Sequence, residues 1–190
     1  MHKEPIKTIF IDLDETLIHT LGMVPYTAPK GKDSTVELKF KEPEPNTDYA
    51  DTPVKIKLDK EVYHTILRPG ANFLLFQLRE IGHVYMLTRA AKSYAQAMNQ
   101  AFNFGFIEDK IFDREYVKNW KYKAPKVEIA TGKNVLIDDL EDRDNFEKIA
   151  FIKKFGTSKY IKVNAFYGQK DEGYTHTDIN NIIETIKTVE

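Results

Sequence analysis

Residues 8–20, TIFIDLDETLIHT, place two carboxylates, Asp12 and Asp14, one residue apart at the end of an apolar run, with Thr16 two positions further on. Two other apolar runs stop in the same way. Residues 83–88 (HVYMLT) end on Thr88, and residues 134–138 (NVLID) end on Asp138 with Asp139 next. Gathered at one edge, four such carboxylates repel: a like-charged pair 4 Å apart costs about 4 kcal/mol at an effective dielectric of roughly 20. A cation resolves the conflict. Oxygen ligands with no His or Cys nearby in sequence favour a hard ion, and Mg²⁺ is the usual choice where a phosphate completes the shell. With its repulsion from phosphate cancelled, a carboxylate can attack phosphorus, and Asp12 at the strand tip is the expected nucleophile. Asp14 is placed to protonate the leaving oxygen and later to take a proton from the water that hydrolyses the aspartyl-phosphate. Thr88 offers a hydroxyl to the phosphate oxygens, Asp138 and Asp139 carry the metal, and a lysine should balance the remaining charge.

These residues converge only if the runs are neighbouring parallel strands, because ligands in open α/β sheets bind beyond the carboxyl ends of the strands. The first run, 6–12, is continuous and β-branched, as expected of a strand covered on both faces. Helical spacing joins the runs: Phe73, Leu74, Leu78 and Ile81 after Pro69-Gly70, then Tyr94, Ala95, Met98 and Phe102 within 91–102. Further helices are expected over 145–155 and 177–189, the last with Ile179, Ile182, Ile183 and Ile186 as its buried stripe, and a short strand over 159–163. The alternation predicts an α/β fold, a Rossmann-like doubly wound parallel sheet.

Residues 20–67 break that rhythm. TVELKFK (35–41) and VKIKL (54–58) alternate apolar and charged residues with period two, joined by a proline-rich loop, and predict a small antiparallel β insertion after the first strand. The whole chain, 1–190, is expected to form a single phosphatase domain with 20–67 as a β-rich insertion, since 190 residues suit one core. A net charge of -1 gives no general attraction to nucleic acid or membrane, and the lack of cysteine excludes disulfides, zinc–thiolate sites and a thiol nucleophile. No apolar run is long enough to span a membrane and MHKEPIK lacks a secretory apolar segment, so a soluble, intracellular, cytoplasmic protein is expected.

DLDETLIH (12–19) resembles the first motif of the haloacid dehalogenase (HAD) superfamily of aspartate-dependent phosphatases, in the branch acting on the C-terminal tail of RNA polymerase II and its small relatives. LRPGANFL (67–74), LTRAAKSYA (87–95), YVKNW (116–120) and VLIDDLED (135–142) are similar to that branch's Arg-Pro segment, second motif, lysine motif and metal motif. The resemblance nominates Lys118 as the lysine, Asp139 for direct metal contact and Asp138 for support behind it. Asp14 favours phosphate chemistry over carbon–halogen cleavage, because dehalogenases of the superfamily lack that aspartate.

The resulting expectation is a Mg²⁺-dependent phosphomonoesterase acting on a phosphorylated protein. Asp12, Asp14, Thr88 and Lys118 are its catalytic set, Asp12, Asp14, Asp138 and Asp139 its metal set, and Thr16, Arg89, Tyr94 and Trp120 its phosphate and substrate contacts. The alternative substrate is a nucleotide or the 3′-phosphate end of a nucleic acid, suggested by Lys and Arg interleaved with Tyr116, Trp120 and Tyr122 over 109–126. A catalytically silent binding protein of the same fold is the alternative of a different class. Phosphate transfer to an acceptor other than water also stays open. His19, His64, His83 and His176 are expected to be structural or exposed.

Overall fold

The structure, a computed structural model, describes residues 7–23, 48–58, 61–119, 129 and 132–189. Among these residues, five parallel strands form the main sheet: β1 (Lys7–Ile11), β5 (Gly82–Leu87), β6 (Ile111–Phe112), β7 (Gly132–Asp138) and β8 (Gly156–Lys162), in the order β6-β5-β1-β7-β8. Three more strands, β2 (Ile18–Met23), β3 (Val54–Leu58) and β4 (Glu61–Leu67), form a separate antiparallel sheet in the order β2-β4-β3. The doubly wound sheet and the insertion after β1 are thus present as the sequence predicts. The predicted strand over 35–41 lies outside the described residues.

Helices cover both faces of the main sheet, and β1 shows why its sequence has no polar side. Ile9 and Ile11 point into a cluster shared with α1 (Ala71–Ile81), α2 (Lys92–Ala101) and α5 (His176–Lys187), while Phe10 points into the opposite cluster with α3 (Arg114–Asn119) and α4 (Phe146–Lys153). Phe10 is fully buried and lies 5.8 Å, edge-on, from Phe151. Its burial contributes up to about 3 kcal/mol, and truncation to alanine would cost more through the cavity left behind.

Strand order reverses at β1, since β5 and β6 lie on one side of it and β7 and β8 on the other. Ligand crevices of doubly wound sheets open at such a reversal. Register fixes what is found there: Ile11 pairs with Met86 on one side and Ile137 on the other, so the chain emerges as Asp12, Thr88 and Asp138 within about a residue of the same level. The Asp12 amide donates to the Ile137 carbonyl at 3.0 Å, carrying the β1–β7 pairing up to the nucleophile candidate.

The segment after β8 is tied to the first motif by Arg68. This buried guanidinium donates to the carbonyls of Thr16, Asn164 and Glu172 and lies 3.9 Å over the Tyr174 ring. The Tyr174 hydroxyl donates to the same Thr16 carbonyl at 3.0 Å. Gly70 begins α1 at φ 82, where a Cβ would stand 2.7 Å from the Tyr174 carbonyl oxygen, so no other residue allows this close approach. The Arg-Pro-Gly run is therefore a clasp on residues 164–174.

Candidate active site

At the reversal point a cavity of about 330 Å³ is lined by Asp12, Asp14, Glu15, Thr88, Arg89 and Asp139, with Lys148 also in its wall. A larger cavity of about 560 Å³ lies between α5 and the chain after β8, and it holds none of the strand-tip carboxylates. Chemistry selects the smaller one.

Its floor is ionic. The Lys148 ammonium lies 2.7 Å from Asp12 Oδ1 and 2.7 Å from Asp138 Oδ2, and all three residues are buried. Asp138 is fully enclosed, its second oxygen accepting from the Leu140 amide. Burial acts to lower the pKa of Lys148, but the two carboxylates outweigh it and hold the ammonium protonated. Burial raises the pKa of Asp12, with Lys148 opposing and the Asp138 charge adding to the rise. Asp139 is also raised, mainly by burial and then by Asp138. One ammonium does not balance these acids.

Oxygens of Asp12, Asp138 and Asp139 lie within 4.8 Å of one another, close enough to share a metal ion. The donor set is oxygen only and the acids outnumber the Lys148 ammonium beside them, so the residues fit a hard divalent cation. Asp14 is not part of this group. Its Oδ1 instead accepts from the Tyr94 hydroxyl at 2.7 Å, and burial raises its pKa to about 6.

Thr88 is buried at the end of β5, and its hydroxyl accepts from the Ala90 amide at 3.0 Å. Arg89 is exposed on the rim, donating to the Asp144 carbonyl. Three sequence expectations meet a different geometry. Thr16 is fully buried beneath the cavity with its hydroxyl on Asp139 Oδ1 at 3.0 Å, so it braces an acid and does not face a substrate. Tyr94 is turned onto Asp14 and is not among the residues lining the cavity. Lys118 is exposed in the last turn of α3 and does not line the cavity, because Val117 is the residue of that helix turned inward. Trp120 lies outside the described residues.

Lys148 is the member that sequence reasoning missed, and the signal was there. Within FEKIAFIKKF the buried positions are 148, 151, 152 and 155, a helical stripe of spacing three and four with a lysine in its first place. A lysine on an apolar stripe is seldom buried without a partner. Glu15 was missed too. It stands at φ 59, its side chain paired with His19 Nδ1 at 3.0 Å, which gives that histidine a structural place at the cavity's edge.

A profile described as NLI interacting factor-like phosphatase matches residues 7–187, nearly all of the sequence. The chain belongs to that family. Members of the NLI interacting factor-like family are HAD-type phosphatases, and the acidic cluster of this member is consistent with such an active site. Two solved structures of Fcp1 are similar to it. Fission yeast RNA polymerase II CTD phosphatase Fcp1-R271A bound to beryllium fluoride is 17% identical, with a TM-score of 0.46, over 95% of this chain and 50% of that one. Fcp1, described as an essential RNA polymerase II CTD phosphatase, is 17% identical with a TM-score of 0.47 over 95% of this chain and 48% of that one. The chain thus spans about half the length of these structures. No curated protein matches it significantly. Among the described residues, no helix is long and apolar enough to cross a membrane.

Proposed function

We propose that this member of the family is a Mg²⁺-dependent phosphomonoester hydrolase whose substrate is a phosphorylated protein side chain. The observation that carries this reading is the juxtaposition at one sheet edge of an ammonium-paired aspartate, two further aspartates with which it can share a metal ion, and a fourth aspartate held apart from them on a phenol.

Asp12 attacks phosphorus. Its carboxylate forms a bond to the phosphoryl group while the ester oxygen leaves and takes a proton from Asp14, whose pKa near 6 supplies the acid form at mildly acidic to neutral pH. Asp14, now a carboxylate, then accepts a proton from the water that cleaves the aspartyl-phosphate, releasing phosphate and restoring Asp12. Thr88 and the backbone at the start of α2 receive the phosphate oxygens, and Arg89 reaches them from the rim. Lys148, in place of Lys118, orients Asp12 and offsets the charge of Asp138. Asp12 and Asp139 would hold Mg²⁺, with Asp138 supporting them and Thr16 bracing Asp139. When bound, the ion neutralises the phosphate charge that would otherwise repel the attacking carboxylate.

Arg89, exposed at the cavity's rim, leaves the site within reach of the phosphorylated end of a larger chain. Hydrolysis of a phosphoserine peptide, a nucleoside monophosphate and a 3′-phosphorylated oligonucleotide, each with and without Mg²⁺, tests the reading. Mg²⁺-dependent turnover of the peptide is expected. Preference for either nucleic substrate reassigns the substrate class, and silence on all three together with no Mg²⁺ binding makes the chain a binding protein.

A further inference from the structure

A run of hydroxyl groups leads from Asp14 into the inserted sheet. Tyr94 donates its single proton to Asp14 Oδ1 at 2.7 Å, and Thr20 Oγ1 lies 2.8 Å from the Tyr94 oxygen. Since that phenolic proton is already committed, Thr20 is the donor to Tyr94. By the same count the Thr20 oxygen accepts from Thr65, whose hydroxyl lies 2.9 Å away. Thr20 and Thr65 face each other across the β2–β4 pairing, and Tyr63 of β4 meets the Tyr94 ring edge-on at 5.1 Å. Both ends of the tyrosine are therefore held by the insertion, while its helix belongs to the main sheet.

We propose that Tyr94 is a positioning residue for Asp14 and that, through Thr20 and Thr65, the inserted sheet sets the alignment of proton transfer to the leaving group. The inference rests on the phosphatase reading above. A carboxylate torsion is broad and has no strong preference of its own, so an aspartate at a loop tip needs an external hold. Tyr94 takes Oδ1 and leaves Oδ2 for the ester oxygen. Three hydroxyls donating in one direction strengthen one another, and they end on a sheet whose β2 begins four residues beyond Asp14. Movement of the insertion then changes the aim of the acid without touching the nucleophile, which is held separately by Lys148.

The test is the dependence of kcat/KM on leaving group, which reports the step in which Asp14 donates. Y94F is expected to lower kcat/KM about 30-fold on a phosphoserine peptide, whose alkoxide must be protonated, and only about threefold on p-nitrophenyl phosphate, whose phenolate leaves unaided. T20V, which alters no direct contact to Asp14, should show the same selectivity with a smaller loss of about threefold on the peptide. It also carries the test should Y94F fail to fold. Equal losses on both esters, a change in KM alone, or a T20V enzyme indistinguishable from wild type would overturn the inference while leaving the phosphatase reading intact. A wild-type protein inactive on both esters would overturn the phosphatase reading, and this inference with it.

Discussion

Asp12 and Asp14 leave the same strand tip two residues apart, and the molecule receives them in opposite ways. Asp12 meets a buried ammonium that also binds Asp138, whereas Asp14 meets a phenol backed by two threonines. The first environment sets a cation against the carboxylate, and the second meets it with a neutral donor. A nucleophile needs the former and an acid/base the latter; because the chain leaves β1 at Ile11 and turns through Glu15 at φ 59, two side chains that strict alternation would put on one face reach different hosts.

The strongest way to break the contrast is D12N. Hydrolysis of an aryl phosphate should fall below detection while circular dichroism and the melting temperature stay near wild type, because Lys148 keeps Asp138 as a partner. Retained turnover would show that the ion-paired aspartate is not the nucleophile. Next is K148M, which leaves Asp12 and Asp138 facing each other without a counter-charge. Urea denaturation should register a loss of about 3–5 kcal/mol, against less than about 0.5 kcal/mol for K118M on the exposed turn of α3. Activity should disappear with the first and persist with the second.

Acidity sharpens the other half. Asp14 titrates near 6 in the folded metal-free protein and near 3.8 when unfolded, so the folded state binds its proton more tightly. Its contribution to stability is most favourable below about pH 4, declines as pH rises to about 6, and is flat above. D14N removes that decline and should stabilise the metal-free protein by up to about 3 kcal/mol at pH 7.5, an advantage that vanishes at pH 4. The cation itself has a smaller expected effect than removal of either acid's host. At ten times its dissociation constant Mg²⁺ should stabilise the wild type by about 1.4 kcal/mol, read as a rise in melting temperature, and D139N should abolish the rise.

The sequence made the strand tips legible because a parallel sheet buried on both faces forces continuous apolar runs, and an acid that closes such a run stands out against it. The helices followed from spacing: Ala71–Ile81 and Lys92–Ala101 lie almost where the apolar stripes put them. Side-chain direction beyond a strand end was not legible. Thr16 and Asp14 both follow Asp12, and nothing in their spacing tells that one turns beneath the cavity and the other toward α2. Lys148 was hidden for a different reason, since a lysine on a helical stripe looks like an interruption until its two carboxylates, ten and more than a hundred residues away, are brought beside it. Resemblance favoured Lys118, whose local motif is better formed. The clasp made by Arg68 was equally invisible, because its partners are carbonyls and carry no sequence signature.

That clasp bears on how the protein is made. Tyr174 reaches back 158 positions to the carbonyl of Thr16. A ribosome releasing the chain from its N-terminus therefore delivers Asp12 long before the segment that ties down the loop beside it, and that loop cannot be locked until residue 174 has been made.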